Sequence, residues 1–470
     1  MKYVSTRGSA PALRFSDVVL AGLARDGGLY VPERYPVLSP ETIAGFAGRP
    51  YAEVAEAVIS PFVDGDIPQA AFSRMIAESY GPATFHHPAV TPLVQLAPNH
   101  FVLELFHGPT LAFKDVAMQL LARMMDHVLG ARGARATIVG ATSGDTGGAA
   151  IEAFRGRRNT DIFILFPHGR VSDVQRRQMT TVADDNVHAV AIEGTFDDAQ
   201  AIVKGMFNHF AFRDRVRLSG VNSINWGRIV AQVVYYFVAA AALGAPHRPV
   251  SFTVPTGNFG DVFAGYVARR MGLPIERLTI ATNANDILAR TFESGRYEMR
   301  GVAPTSSPSM DIQISSNFER LLHEAHGRDG AAVKRLMDGL AQSRAFAIEP
   351  EPLAAIRDGF AAGRADEPTT AATIARVHRE AGYLLDPHTA VGVAVAERSL
   401  GPGVPTITLG TAHPAKFPDS VETASGLRPA LPARLGDLMT RPERQSVVDN
   451  SLDAVEAFIL DRARAVTMEA

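Results

Sequence analysis

The hydrophobic pattern of the chain changes near residue 90. Before that point, apolar residues recur at the three- and four-residue spacing that is typical of amphipathic helices. These helical segments lie at 15–20, 40–46, 51–62 and 69–80. We therefore predict a mainly helical N-terminal region over residues 1–90.

From about residue 100 the chain carries short apolar runs, many of them rich in β-branched residues, with helical patterns between them. These runs lie at 101–105, 136–139, 161–166, 187–192, 251–254, 278–281 and 406–409. Apolar strands that alternate with helices are typical of parallel sheets covered by helices on both faces. We predict an α/β fold with parallel sheets, and a mostly helical stretch over 318–380.

One lysine stands where the first of these apolar runs gives way to a helix. Residues 106–115 follow the run 101–105, and a helical pattern begins directly after them. Lys114 is therefore expected near a helix N-terminus among apolar neighbours, where burial and the helix dipole both disfavour an ammonium. A neutral lysine amine is what Schiff-base chemistry needs. The alternative is a packed lysine stem whose head pairs with Asp115.

Lysine is rare in this chain, and this strengthens the case for Lys114. The lysines are Lys2, Lys114, Lys204, Lys334 and Lys416. Lys204 and Lys334 occupy positions typical of a solvated helix face. A reaction that uses a lysine amine therefore has few candidates.

Glycine-rich loops follow two other predicted strands. Residues 140–148 follow the run 136–139, and residues 255–261 follow the run 251–254; each leads into a helical pattern. Backbone N–H groups at a helix N-terminus suit a phosphate or a carboxylate. The alternatives are a plain helix cap for the first loop and a tight strand-to-helix turn for the second. Asp261 in the second loop would repel a bound dianion unless it points away.

Further polar residues follow the last predicted strand and occur in several other loops. Because ligands bind beyond the carboxyl ends of parallel strands, Thr411 is expected at the same mouth as the glycine-rich loops. Residues 222–228, 307–311 and 386–389 form three more polar clusters. His388 and His413, taken singly, are interpreted as structural hydrogen-bonding residues.

The composition excludes several classes of protein. The net charge is −3 and basic residues are interspersed with acidic ones, so we expect no nucleic-acid partner. The chain has no cysteine, which removes disulfides and thiol nucleophiles, and we expect no metal site. The apolar run 229–242 is too short for a membrane span and is interrupted by Gln232, so we predict a buried helix. The first residues lead into no apolar signal segment, and we expect a cytoplasmic protein.

Residues 106–115 resemble the cofactor-lysine motif of the threonine synthases, which are pyridoxal-phosphate enzymes of fold type II. The resemblance extends over almost the whole chain, at residues 3–8, 26–32, 142–147, 222–228, 257–261, 307–311, 315–318 and 411–417. It implies two parallel-sheet α/β domains with a helical N-terminal region. It also implies a catalytic core over 91–425 with two α/β subdomains, and a C-terminal helical tail over 426–470.

The resemblance implies an activity and a set of site residues. The activity is the pyridoxal-phosphate-dependent conversion of O-phospho-L-homoserine and water into L-threonine and phosphate, the last step of threonine biosynthesis. Lys114 is then the Schiff-base lysine and proton shuttle, and Thr411 meets the pyridine nitrogen. The residues expected to hold the cofactor phosphate or lie beside it are Gly257, Asn258, Phe259, Gly260 and Asp261. The residues expected to bind substrate are Thr142, Ser143, Gly144, Asp145 and Thr146 at its carboxylate and Arg228 at its phosphate.

Two other functions remain open at this point. A pyridoxal-phosphate dehydratase that acts on threonine or serine would need no site for a substrate phosphate. A non-catalytic relative that binds phosphorylated metabolites would need no lysine amine. The sequence leaves the oligomeric state, monomer or dimer, undecided.

Overall fold

The computed structural model describes residues 1–466 of the chain. Its strands are β1 (Tyr3–Ser5), β2 (Tyr30–Pro32), β3 (Leu93–Ala97), β4 (His100–Glu104), β5 (Ala136–Ala141), β6 (Thr160–Pro167), β7 (Val187–Ile192), β8 (Leu218–Ser219), β9 (Val250–Pro255), β10 (Ile275–Thr282), β11 (Arg296–Glu298), β12 (Ala345–Ala347), β13 (Phe360–Arg364), β14 (Thr406–Gly410) and β15 (Ser446–Val448).

The α-helices are distributed along the whole described chain. They are α1 (Phe15–Ala21), α2 (Pro40–Ala44), α3 (Tyr51–Val63), α4 (Gln69–Tyr80), α5 (Lys114–Ala131), α6 (Asp145–Phe154), α7 (Asp173–Thr180), α8 (Phe196–Asn208), α9 (Phe210–Arg215), α10 (Trp226–Ala242), α11 (Gly260–Arg270), α12 (Ile287–Ser294), α13 (Phe318–Ala325), α14 (Gly330–Ser343), α15 (Pro350–Gly359), α16 (Glu367–Ala381), α17 (Pro387–Ala396), α18 (Pro418–Ser425) and α19 (Leu452–Leu460).

Two sheets of mainly parallel strands organise the fold. The first has the order β15-β7-β6-β5-β8, and all of its neighbouring strands are parallel. The second has the order β13-β10-β9-β14-β4-β3 and is parallel except at its β3 edge, which is antiparallel to β4. The predicted α/β fold with two parallel sheets is thereby confirmed.

Each of the seven predicted strand runs overlaps a strand of these two sheets, namely β4, β5, β6, β7, β9, β10 and β14. Helices cover both faces of these strands, so both sets of alternating side chains must be apolar. All eight residues of β6, for example, are buried. This double burial is what made the strands recognisable as continuous apolar runs.

Three strands lie where the sequence predicted helix, and the first of them, β12, falls inside 318–380 and pairs with β11. β13 falls inside 318–380, and it forms the edge of the larger sheet beside β10. It is short and rich in alanine and glycine, so it carries little β-branched signal. β15 falls inside the predicted helical tail and pairs with β7, and the described part of that tail contains a single α-helix, α19. Residues 467–470 lie outside the described residues, and the domain boundaries near 90 and 425 stay predictions.

The N-terminal region contains the predicted helices α1–α4 and a short antiparallel pair, β1 and β2. It is tied to α13 by polar contacts. The Arg7 guanidinium donates to both carboxylate oxygens of Glu319 at 3.0 and 2.9 Å. The buried Arg320 guanidinium donates to the Tyr30 carbonyl at 3.1 and 3.0 Å. The head of the chain thus holds the helix that adjoins the candidate site.

Helix α10 is the buried helix predicted from the run 229–242. It packs against α3, α5 and α11, and almost all of its residues are buried. Within residues 1–466, no helix combines the length and the hydropathy that crossing a membrane requires.

Candidate active site

A cavity of about 830 Å³ lies between the two sheets, where the loops after the strands of both sheets meet. The smaller sheet contributes the loops that follow β5 and β7, and the larger sheet those that follow β4, β9 and β14. All the predicted site residues except Gly144 line this cavity. A Cβ atom added to Gly144 would meet the Gln175 side chain at 2.4 Å, so this glycine makes room for a neighbouring side chain.

Lys114 is the first residue of α5, as the sequence predicted, and it is buried. Its Nζ lies 3.4 Å from Asp145 Oδ2 and 3.4 Å from Ser309 Oγ. The alternative pairing with Asp115 is wrong, because that carboxylate accepts the backbone N–H and the hydroxyl of Thr110 at 2.8 and 2.7 Å. The Lys114 amine therefore faces the cavity.

The surroundings of Lys114 favour a neutral amine. Burial lowers the pKa of Lys114 below its ordinary value of 10.5, because an ammonium loses its hydration there. The charge of Asp145 opposes this shift, and the charges of Lys416 and Arg228 reinforce it. The expectation of a lysine poised as an amine thus has a structural basis.

The loop after β9 offers several unused hydrogen-bond donors. Within residues 1–466, no acceptor takes the backbone N–H groups of Gly257, Asn258, Phe259 or Gly260. Phe259 has φ = 65°, an unusual conformation for a residue with a side chain, and α11 begins at the next residue. Free N–H groups at the N-terminus of a helix form a binding site for an anion such as phosphate.

Asp261, next to this loop, is held by two tyrosines. The hydroxyls of Tyr235 and Tyr236 donate to Asp261 Oδ1 at 2.5 and 3.0 Å, while Oδ2 is buried and finds no partner among residues 1–466. Burial raises the pKa of Asp261 to about 6, although the tyrosine hydroxyls act in the opposite direction. With this pKa the carboxylate is still mostly ionised at neutral pH, and the two tyrosine hydroxyls stabilise the charge on Oδ1.

Thr411 lies beyond the end of β14, beside the lysine segment. Its carbonyl accepts the backbone N–H of Phe113 at 2.9 Å, which fixes it next to Lys114. Its Oγ1 is buried without a hydrogen-bond partner in the described residues and lines the cavity. A buried hydroxyl without a partner is costly, and a bound ligand with a polar atom at this point would remove the cost.

Arg228 lies in the first turn of α10 and is buried. Its Nη1 donates to the Val221 carbonyl at 3.3 Å, its Nε has no partner, and no carboxylate within residues 1–466 pairs with it. Burial without a counter-ion lowers the pKa of Arg228 to about 10. A buried guanidinium in this state on a cavity wall is suited to an anion.

Some polar groups of the loop after β5 stabilise the loop itself, and others line the cavity. The Thr142 hydroxyl accepts the backbone N–H groups of Gly144 and Gly147, both at 2.9 Å. The Asp145 carboxylate contacts two lysines, Lys416 at 2.9 Å and Lys114 at 3.4 Å. Within residues 1–466, the hydroxyls of Ser143 and Thr146 accept no backbone N–H group of this loop, and both residues line the cavity.

Sequence reasoning missed several residues around the cavity. His388, interpreted as a structural residue, lines the cavity as well as making hydrogen bonds. Residues 195–197 and Gln200, at the start of α8, also line it and had no motif to signal them. Lys416 was visible as one of few lysines, but its burial beside Asp145 depends on the tertiary structure. His413 accepts the Ala415 N–H at 3.1 Å, as expected of a structural residue.

These residues fit a cofactor that carries an aldehyde, a phosphate and a ring nitrogen, such as pyridoxal phosphate. Lys114 offers an amine for the aldehyde, and the N–H groups of residues 257–260 offer donors for the phosphate. The Thr411 hydroxyl, which has no hydrogen-bond partner in the described part of the chain, is available to the ring nitrogen.

Three family models match the chain. They describe the threonine synthase N terminus over residues 2–80, pyridoxal-phosphate-dependent enzymes over 84–408, and the threonine synthase C-terminal region over 389–459. The second of these alone covers more than half of the chain.

Curated relatives agree with the family models over the full length. A threonine synthase from Pseudomonas aeruginosa is 57% identical over 463 residues, which cover 98% of each chain. One from Methylobacillus glycogenes is 42% identical over 98% of this chain and 100% of its own.

Solved structures give the same result. A pyridoxal-phosphate-bound threonine synthase from Brucella melitensis has a TM-score of 0.97 and 67% identity, and covers 99% of this chain and 100% of its own. The yeast threonine synthase has a TM-score of 0.92 and 39% identity over 98% of both chains. A threonine deaminase from Solanum lycopersicum, at 13% identity and a TM-score of 0.51, shares the fold alone. By sequence and by structure, this chain belongs to the threonine synthase family of pyridoxal-phosphate-dependent enzymes.

Proposed function

We propose that this protein converts O-phospho-L-homoserine and water into L-threonine and phosphate in the cytoplasm. The observation that supports this choice of substrate is that two separate groups of donors suited to anions line one cavity. The free N–H groups of residues 257–260 form the first, and the buried Arg228 guanidinium, which no carboxylate within residues 1–466 neutralises, forms the second. A phosphorylated cofactor accounts for the first site, and a phosphorylated substrate accounts for the second.

Three parts of the cavity would hold the cofactor. Lys114 would bind its aldehyde carbon, residues 257–260 its phosphate and Thr411 its ring nitrogen. Pyridoxal phosphate, when bound, supplies a conjugated ring that accepts electrons from the substrate. The neutral Thr411 hydroxyl would donate a hydrogen bond to that ring without protonating it.

The remaining residues bind the substrate and move its protons. The Lys114 amine, once free, takes the proton from the substrate Cα and moves protons between Cα and Cβ. Arg228 holds the phosphate group that leaves from Cγ, and water then adds at Cβ. The hydroxyls of Ser143 and Thr146 are suited to the substrate carboxylate. The Asp145 carboxylate, already paired with two lysines, would repel that group, so its role lies with Lys114.

The dehydratase and the non-catalytic relative are less well supported. The substrates of a threonine or serine dehydratase carry no phosphate that the buried Arg228 guanidinium could bind. A non-catalytic relative that only binds metabolites would not need the lowered pKa of Lys114. Residual dehydratase activity is compatible with the proposed site, because both reactions begin by removing the Cα proton.

A product assay tests the proposal. The purified protein with pyridoxal phosphate and O-phospho-L-homoserine should form threonine and phosphate in equal amounts. Lys114→Ala should lose the visible cofactor band and essentially all turnover, while the exposed Lys204→Ala should retain both. Phosphate release without threonine, or faster formation of 2-oxobutanoate from added threonine, would contradict the proposal.

A further inference from the structure

Lys416 is the second buried lysine of the site, although it does not line the cavity. It follows β14 in a short 3₁₀ turn, and its side chain is fully buried. Its Nζ contacts Asp145 Oδ1 at 2.9 Å, and it donates to the Thr110 carbonyl at 2.7 Å and to Gln178 Oε1 at 3.1 Å. Since an ammonium has three N–H donors, all of them have a partner here.

Asp145 divides its two oxygens between the two lysines. Oδ1 receives Lys416 and the Gln175 side-chain N–H, both at 2.9 Å. Oδ2 lies 3.4 Å from Lys114 Nζ and accepts the Ser309 hydroxyl at 3.2 Å. Burial disfavours the carboxylate, but Lys416 and Lys114 outweigh burial and hold the pKa of Asp145 well below its ordinary value. Asp145 is therefore an ionised carboxylate, and the charge of Lys416 beside Oδ1 already balances its charge.

We propose that Lys416 is a positioning residue. Its charge balances that of Asp145, so that Asp145 orients the Lys114 amine without holding Lys114 in its protonated form. This inference deepens the proposed function and rests on it, because it assigns a partner to the amine that moves the substrate's protons. Lys416 does not touch the substrate; it acts through Asp145.

The charge count of the buried cluster carries the argument. With Lys416 and Asp145 both ionised, the cluster is neutral when Lys114 is an amine and carries one positive charge when Lys114 is an ammonium. Because a net charge is costly in a buried site, the neutral amine is the balanced state. Without the Lys416 charge, the balanced state would instead be a Lys114 ammonium paired with Asp145. The Lys416 charge thus reinforces burial in favouring the amine form of Lys114.

Other charged or titratable groups face the same cluster from neighbouring elements. They are Arg228 from α10, Asp261 from α11, His388 from α17 and Asp115 from α5 itself. All of these are unchanged in a variant at position 416. A difference between that variant and the parent therefore isolates the effect of Lys416.

The first experiment measures the ionisation of Lys114 through cofactor uptake. The apoprotein and its Lys416→Met variant receive pyridoxal phosphate between pH 6 and pH 10, and the return of the visible band is timed. Only the neutral amine attacks the aldehyde, so the midpoint of rate against pH reports on Lys114. In Lys416→Met we expect the midpoint to rise by about one pH unit, which makes uptake about tenfold slower below the midpoint.

Matched variants separate a charge effect from a packing effect. Asp145→Asn should lower the midpoint, and Lys416→Met/Asp145→Asn, which removes both charges, should return it towards the parent value. The exposed Lys204→Met should behave as the parent. A Lys416→Met variant with the parent midpoint and a lower unfolding temperature would make Lys416 a structural residue and overturn the proposal. If Lys416→Met fails to fold, an unchanged midpoint in Asp145→Asn overturns the proposal, and a lowered one supports it.

A second readout does not depend on the cofactor. Reductive methylation of Lys114 by formaldehyde and cyanoborohydride, located by mass spectrometry, also requires the neutral amine and should give the same order of midpoints. A parent protein that takes up no pyridoxal phosphate but shows this order would contradict the proposed function and support the inference. If the parent takes up the cofactor but the methylation midpoints of parent and variants are the same, the proposed function is supported and the inference is contradicted.

Discussion

His388 Nε2 accepts the backbone N–H of Ser309 at 3.2 Å. The other ring nitrogen, Nδ1, donates to the Asp386 carboxylate at 2.9 Å, which fixes the tautomer and the orientation of the ring. Because the Ser309 hydroxyl lies 3.4 Å from Lys114 Nζ, this buried histidine holds the loop that contacts the reactive lysine.

Replacing His388 should loosen that loop. His388→Ala leaves the part-buried Ser309 N–H without its acceptor, which costs about 0.5–1.5 kcal/mol. We expect faster amide hydrogen exchange in residues 307–311 and a raised KM. The control is His100→Ala, since His100 is equally buried but contacts Thr408 inside the sheet. Unchanged exchange at 307–311 would mean that His388 does not hold the loop.

Gly257 and Gly260 differ in the space around them. A Cβ atom on Gly257 would lie 2.7 Å from the Ser309 carbonyl oxygen, whereas the nearest atom to a Cβ on Gly260 is 3.4 Å away. Gly257→Ala must therefore displace the loop whose N–H groups face the cavity. We expect cofactor affinity to fall about tenfold or more, about 1.4 kcal/mol. Gly260→Ala is the matched control, and equal affinity in both variants would place the phosphate elsewhere.

Arg228→Met tests the second anion site. We expect the KM for O-phospho-L-homoserine to rise at least about tenfold, with partial recovery in Arg228→Lys, because a lysine retains the charge but loses the planar fork. Cofactor affinity should change little. Since the guanidinium is buried without a counter-ion, the apo variant should unfold at no lower temperature than the parent. The exposed Arg335→Met serves as the control. An unchanged KM would remove Arg228 from the substrate site.

The raised pKa of Asp261 predicts a pH dependence of stability. Its folded value of about 6 lies above its ordinary value of 3.8, so the ionised carboxylate destabilises the folded apoprotein above about pH 6. This destabilisation is lost as the pH falls towards 4. We expect Asp261→Asn to gain about 1 kcal/mol more, relative to the parent, at pH 7.5 than at pH 5. Urea unfolding of the apoproteins measures it, and a difference that is independent of pH would contradict the raised value.

The sequence by itself determined the parallel strands and the position of the reactive lysine. Both depend on local pattern: a strand buried on both faces is a continuous apolar run, and Lys114 begins a helix directly after one. The glycine-rich loops after β5 and β9 were predictable for the same reason, because ligands gather at the carboxyl ends of such strands. The family resemblance then related these loops to a cofactor and a substrate.

The edges of the sheets were not predictable in this way. β13 and β15 are short and pair on one side only, so neither is long enough to form a recognisable apolar run. Pairing with their neighbours β10 and β7 is what makes them strands.

Only the tertiary structure decided how the charges of the site are paired. Along the chain, Lys114 stands next to Asp115, and a local interpretation joins them. In the fold, the Asp115 carboxylate accepts hydrogen bonds from Thr110, whereas Lys114 contacts Asp145 at the start of α6. Asp145 in turn contacts Lys416, in the turn after β14. The physical reason is that hydrophobic periodicity specifies which face of an element is buried, whereas the strength of a charge interaction depends on distance and burial. Those two quantities exist only once the sheets have packed together.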